Sequence, residues 1–388
     1  MAIIADDVRR RIPIKRGFYE QYITDLMAKA DIRINGRRLW DMKVNDKAVY
    51  KHLFQRGSLG LGESYMQGLW DCLQLDEMIF RVLKAGLESQ VEKDLRTILY
   101  GIKSKLLNLQ SRSRVYEVAK KHYDLGNDLF IAMLDKRMMY SCAYWKEADD
   151  LETAQENKLD LICRKLKLES GLSLLDIGCG WGGLAQFAAE RYKVRVVGIT
   201  ISKEQVELAK ERCEGLPVEI RLQDYRSLNE KFDRVVSIGM FEHVGYKNYT
   251  EYMRTVQRVL KADGLFLLHT IGRNDSVTKV DAWINKYIFP NGMLPSLTQI
   301  ARAAEKRFII EDLQNIGPHY DRTLMAWLTR FRDAWPELQT GGKYDGEFYR
   351  MWVYYLSCCA AAFRAKDNNL WQIVMSLPGN TATYESVR

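Results

Sequence analysis

The chain has 388 residues, 47% hydrophobic and 28% charged, a globular balance that excludes wholesale disorder and leaves room for two or three domains. Its 58 Lys and Arg against 50 Asp and Glu give a net charge of +8, which excludes an acidic solvating protein and points to an anionic partner: nucleic acid, membrane surface or acidic small molecule. Seven scattered cysteines with no Cys-x-x-Cys pair, and five histidines, argue against a disulfide framework and a zinc site, so no metal is expected.

From the N-terminus, Asp6 and Asp7 and an arginine cluster stand where a signal peptide would carry its apolar core, so a cytoplasmic protein is expected. Residues 1–120 hold 22 Lys and Arg against 15 Asp and Glu, a net of +7, and residues 121–388 a net of +1. The basic character belongs to the first third, as a docking surface or simply a solvated one. Three regions are expected: a smaller mixed α+β domain over 1–90, a helical linker over 91–118, and an α/β domain over 119–388. In the first, Ile32 and Ile34, then Asn35-Gly36, then Leu39 and Met42 predict a hairpin. The glycine-rich stretch 57–71 lacks the Gly-Lys-Ser/Thr ending of a phosphate loop and reads as turns or close packing. In the linker, Leu95, Ile98, Leu99, Ile102 and Leu106 form an apolar helical stripe with basic neighbours. It suits a connecting helix or, less simply, a membrane-surface contact.

Beyond 119 the pattern alternates. Thr153 with Glu156 predicts a capping box that opens a helix with Leu159, Ile162 and Leu166 on one face. Strands are predicted over 172–177, 194–199, 218–224, 233–239 and 264–270, with late candidates at 307–310 and 370–377. Ser202 with Gln205 predicts a second capping box. Strands alternating with helices imply an α/β fold with a mainly parallel sheet covered on both faces. The longest near-apolar run, Met351 to Phe363, falls well short of the roughly 20 residues of a membrane span.

The turn Asp176-Ile177-Gly178-Cys179-Gly180-Trp181-Gly182 follows a strand and opens a helix, where glycines let a ligand approach backbone N–H groups. The acidic residue that a dinucleotide site needs at the end of the second strand is missing. Asp176, before the first glycine, suits a cationic end such as an amino-acid ammonium. Asp224, at the end of the third strand and followed by Tyr225, can accept from an adenine amino group. Ammonium and adenine together describe S-adenosylmethionine.

LLDIGCGWGG is similar to the S-adenosylmethionine motif of Rossmann-like methyltransferases. HYDLGNDLF (122–130), YSCAYW (140–145), GMFEHVG (239–245), LLHTIG (267–272) and WINKYIFPNG (283–292) together resemble the cyclopropane-fatty-acyl-phospholipid synthases, and the resemblance spans the chain. It implies a Rossmann-like methyltransferase domain with a seven-stranded mainly parallel sheet, beside a basic N-terminal domain that meets lipid. It also implies an activity: the methyl carbon of S-adenosylmethionine is added across a cis double bond of an unsaturated phospholipid acyl chain, and a base then removes a proton so that the ring closes. An alkene is a poor nucleophile, so alignment carries the first step. The carbocation that follows wants aromatic faces and no water.

By the same resemblance that base is a bound bicarbonate. Its cradle is Cys142, Glu242, His269, Ile271 and Tyr320, with backbone N–H groups from Cys142 and Ile271, side-chain donors from His269 and Tyr320, and Glu242 sharing a proton with the ion. Taken singly, Cys142 reads as a small buried hydrophobe, His269 as a structural histidine at a strand end, Tyr320 as a loop anchor, and Glu242-His243 as a helix-start acid with a surface histidine. The cofactor residues are Tyr140, Ser141, Asp176, Gly178, Gly180, Thr200, Gln205, Asp224 and Tyr225. Thr200 takes the place of the usual ribose-binding acid, and Gln205 is a ribose ligand or only a cap. Trp181 and Phe241 read as packing or as walls of the acyl channel, and 283–296 as a long loop able to lid it. A homodimer at an anionic membrane surface, peripheral on its inner face and without nucleic acid, completes the expectation. Two rivals remain: methyl transfer to another lipid, a small acceptor or RNA, and a non-catalytic lipid-binding module.

Overall fold

The structure, a computed structural model, describes residues 17–87, 126–277 and 280–388. These divide into two compact units, one within Met1–Asp94 and the other within Leu95–Arg388. The helix expected over 91–118 lies outside the described residues.

The N-terminal unit consists of α1 (Phe18–Lys29), β1 (Lys43–Val44), α2 (Ala48–Met66), β2 (Trp70–Asp71) and α3 (Leu75–Lys84). No hairpin forms at Asn35-Gly36. Instead β1 pairs antiparallel with β2, and Ile34 bridges Met42 in parallel. The reason is Asp41: its buried carboxylate accepts from the N–H groups of Arg33 and Arg38 and from the Arg38 guanidinium, folding the segment onto itself. The glycine-rich stretch is mostly helix. Gly57 breaks α2 at φ 52°, and a Cβ at Gly60 would run into the His52 carbonyl, so close packing, not a turn, explains Gly60.

The larger unit is built on a seven-stranded sheet: β3 (Ser173–Ile177), β4 (Arg195–Thr200), β5 (Val218–Leu222), β6 (Phe232–Ile238), β7 (Leu260–Arg273), β8 (Ile309–Asn315) and β9 (Asn368–Ser376). The order is β5-β4-β3-β6-β7-β9-β8; β9 alone runs antiparallel to its neighbours. This is the expected α/β, mainly parallel, Rossmann-like arrangement. Alternate residues divide between two cores, as a period of two requires. Leu175, Val235, Phe266 and Ile373 face one way. Leu174, Val236, Leu267 and Val374 face the other. Strand order reverses between β3 and β6, and open α/β sheets bind ligands at such a switch point.

The helices of this unit are α4 (Asn127–Met133), α5 (Leu151–Lys165), α6 (Gly183–Tyr192), α7 (Lys203–Arg212), α8 (Tyr249–Val259), α9 (Ala282–Tyr287), α10 (Leu297–Ala304), α11 (Pro318–Thr340) and α12 (Gly346–Arg364). α5 opens at Asp150, not Thr153: the Asp150 carboxylate accepts from the Thr153 N–H, because an acid is the stronger cap. The 283–296 segment is not a continuous loop; Asp281 caps α9 by accepting from Trp283 and Ile284. The apolar run 351–363 lies in α12, which packs on α11. Among the described residues no helix is long and apolar enough to cross a membrane.

Candidate active site

The ends of β3, β4 and β6 and the loop before α5 enclose one cavity, and all nine of the residues expected to hold the cofactor line it. The glycine turn hugs β4: the N–H groups of Gly178 and Cys179 both donate to the Ile199 carbonyl. Gly178, Gly180 and Gly182 take positive φ, which opens the turn ahead of α6. Asp176 lines the cavity and is itself buried. Burial pushes its carboxyl up to about 7, against the pull of the Lys158 ammonium.

On the β4 side the predicted capping box is only half formed. Ser202 caps α7 by accepting from the Gln205 N–H at 3.4 Å. The Gln205 side chain does not reach back; its Oε1 accepts from the Thr200 hydroxyl at 2.7 Å, which keeps both side chains at the cavity. Asp224 caps the short turn Tyr225–Ser227 and pairs with Arg226 at 2.9 Å, so Arg226 fixes the carboxylate expected to meet adenine. The Arg226 guanidinium also lies 4.8 Å over the Tyr225 ring.

Tyr140 and Ser141 stand on the loop before α5. The Tyr140 and Tyr355 hydroxyls are 2.8 Å apart. Two residues the sequence reading passed over hold this loop. Gln155 Nε2 donates to the Ser141 carbonyl at 2.9 Å, and the fully buried Lys158 donates through Nζ to Ser141 Oγ at 2.9 Å. Burial pushes Lys158 down to about 8, and the carboxyls of Asp135 and Asp176 and the Cys142 thiol oppose it. The signal was present: both are polar residues on the Leu159–Ile162 face of a helix, where burial demands partners.

The five residues of the expected base site do not line that cavity; they gather beside it. Glu242 lies in the turn Phe241–His243 and is buried. Its Oε1 accepts from the Ile271 N–H at 2.6 Å, and its Oε2 has no hydrogen-bond partner among the described residues. Burial pushes Glu242 up to about 7, so it is held near the point of sharing a proton. The Ile271 N–H, expected to meet an anion directly, is therefore spent on Glu242, because a buried carboxylate takes the nearest donor. His269 is not at a strand end: β7 extends to Arg273, and His269 is fully buried within it. Burial drives its pKa well below the usual value, with Lys158 and Lys165 adding to the effect, and Nε2 has no partner among the described residues.

Cys142 is fully buried. Its Sγ lies 3.2 Å from the Ala143 carbonyl, and burial pushes the thiol far up, so it is no nucleophile. Tyr320 is not in a loop but in the first turn of α11, where Pro318 starts the helix. Burial raises its phenol strongly, and Cys142, Tyr140 and Glu242 are near enough to add to this. His243 lines the cofactor cavity instead of lying on the surface, and burial pushes it down to about 4. Trp181 also lines the cavity, whereas Phe241 stacks on Tyr249 at 4.3 Å inside the core.

A family model for mycolic acid cyclopropane synthetase matches residues 110–373. The chain is 56% identical over 352 residues to the cyclopropane-fatty-acyl-phospholipid synthase of Escherichia coli K12, covering 91% of this chain and 92% of that one. Among solved structures, the cyclopropane synthase MmaA2 of Mycobacterium tuberculosis is 33% identical with a TM-score of 0.63, over 67% of this chain and 97% of that one. Mycolic acid cyclopropane synthase CmaA1, solved in complex with SAH and CTAB, is also 33% identical, with a TM-score of 0.62 and the same coverage. The chain thus belongs to the mycolic acid cyclopropane synthetase family, and is a methyltransferase homologous to cyclopropane-fatty-acyl-phospholipid synthase.

Proposed function

We propose that the chain transfers the methyl carbon of S-adenosylmethionine to the cis double bond of unsaturated phospholipid acyl chains and closes a cyclopropane ring, with bicarbonate as the base. The observation that carries the reading is the juxtaposition at the switch point: a cavity lined by the buried carboxylate of Asp176, beside two buried polar atoms, Glu242 Oε2 and His269 Nε2, that no described residue satisfies. Buried polar atoms are costly unless something fills them. A small oxyacid anion fits a protonated Glu242 and a neutral His269, each able to donate. The name of the Escherichia coli relative supports the phospholipid substrate, and the SAH complex of CmaA1 supports the cofactor.

In this reading Asp176 binds the cofactor's ammonium, Asp224 the adenine, and Thr200 with Gln205 the ribose. Glu242 and His269 hold the bicarbonate, assisted by Cys142 and Tyr320, while Ile271 keeps Glu242 in place. Bicarbonate supplies the proton acceptor that lets the ring close. Tyr140, Tyr320 and Trp327, with ring centroids within 6 Å of one another along the chain of contacts, give apolar faces that suit a carbocation and exclude water. The enzyme acts as a homodimer, peripheral on the inner face of an anionic membrane.

Vesicles of unsaturated phospholipid incubated with methyl-labelled S-adenosylmethionine should gain one CH₂ per double bond. Label confined to soluble acceptors would overturn the reading. Glu242→Gln should bind S-adenosylmethionine normally and lose on the order of a hundredfold in turnover; full turnover would remove Glu242 from the chemistry.

A further inference from the structure

His269 on β7 and Gln372 on β9 face each other directly in the antiparallel register, and both are fully buried. Opposed residues in such a pair project to one side of the sheet, here the side of Leu267 and Val374 that α5 covers. Gln372 Nε2 lies 3.3 Å from His269 Nδ1. An amide nitrogen only donates, so the imidazole nitrogen that meets it has to accept. A neutral imidazole that accepts at Nδ1 carries its proton on Nε2. That Nε2 is the atom left without a partner among the described residues, beside a site where Glu242 Oε2 is equally unsatisfied.

Packing does not account for Gln372. Its own Oε1 is buried without a partner among the described residues, its neighbours on the same face of β9, Leu370 and Val374, are apolar, and Gln314, opposed to it on β8, likewise has a buried Oε1 with no partner among them. One long hydrogen bond does not offset the desolvation of an orphaned carbonyl, and an apolar side chain of the same length would cost less. What Gln372 uniquely supplies at this position is a donor directed at Nδ1.

We propose that Gln372 is a positioning residue that locks His269 as its Nε2–H tautomer and so presents one fixed N–H donor to the site. This rests on the reading of His269 as a ligand of the bound base. In the full-length protein with ¹⁵N-labelled histidine, long-range ¹H–¹⁵N spectra should show His269 with a bare Nδ1 and a protonated Nε2; the chain has five histidines, and loss of a signal set in His269→Ala identifies the right one. Gln372→Met should lower kcat by about tenfold or more, the loss typical of a histidine's orienting partner. It should leave KM for S-adenosylmethionine unchanged, since Gln372 is absent from the cofactor cavity, and should not lower thermal stability. A His269 protonated on Nδ1 in the wild type, or an undiminished kcat in Gln372→Met, would overturn the proposal. Full turnover in His269→Ala would instead overturn the reading beneath it, whatever the tautomer.

Discussion

Asp176 is buried among apolar strands, and among the described residues the ammonium of Lys158 is what offsets that burial. Only its ionised form can pair with a cofactor ammonium. With its pKa pushed up to about 7, the fraction ionised falls as pH drops below that value, while Lys158, near 8, stays charged throughout. The affinity for S-adenosylmethionine should therefore fall by up to about tenfold per unit as pH is lowered from 7 toward 5.5. Asp176→Asn should bind weakly and with a flat profile over that range; calorimetric titration at several pH values checks both, and a flat wild-type profile would contradict the assignment. At this scale Asp176, Gly178, Gly180, Thr200, Asp224 and Tyr225 were expected at one cavity, and line it, because each sits at a strand end or glycine turn that the sequence announces; Tyr140 and Ser141, on the loop before α5, carry no such local signal. Gln372, polar within an apolar run, and Lys158, polar on the apolar face of a helix, ask for partners, but which partners depends on neighbours far along the chain, which only the sheet register or the packing of α5 supplies.

Elements explain how the site is held. The loop carrying Tyr140, Ser141 and Cys142 is pressed between α5, which grips it through Gln155 and Lys158, and the first turn of α6. The contact with α6 is so close that a Cβ at Gly183 would collide with the Arg137 carbonyl and the Met139 sulfur. Gly183→Ala should cost about 1–3 kcal/mol of stability, as overpacking does. It should also weaken S-adenosylmethionine binding, because Tyr140 and Ser141 move with the loop. Urea unfolding and a binding titration measure the two, and a variant as stable as the wild type would show that the loop yields freely. The strands were readable from short apolar runs because a buried parallel strand needs little else. The Asn35-Gly36 hairpin was misread for a different reason: a turn signal says that the chain reverses, not which strand it then pairs with, and Asp41 and Trp70 decided that.

For the whole molecule, the net +7 of residues 1–120 was expected to make the N-terminal domain a basic docking surface. Residues 17–87, the described part of that domain, carry 10 Lys and Arg against 9 Asp and Glu, a net of +1. Several of those cations are already engaged: Arg38 with Asp31 and Asp41, Arg81 with Asp31 and Glu77, and Arg56 with Glu63. The excess lies in residues 1–16 and 88–120, a net of +3 each, outside the described residues. A membrane attraction carried by this excess is electrostatic, each Lys or Arg near an anionic bilayer contributing about 1 kcal/mol. Raising salt from 0.1 to 1 M shortens the screening length from about 10 to about 3 Å. Binding to anionic vesicles should then fall by at least about tenfold, and binding of S-adenosylmethionine much less, because every residue that lines the cavity falls within 121–388, a stretch with a net of +1. Sedimentation with vesicles and a parallel cofactor titration over the same salt series measure both. Vesicle binding that ignores salt would mean that apolar contact, not charge, brings the enzyme to its lipid.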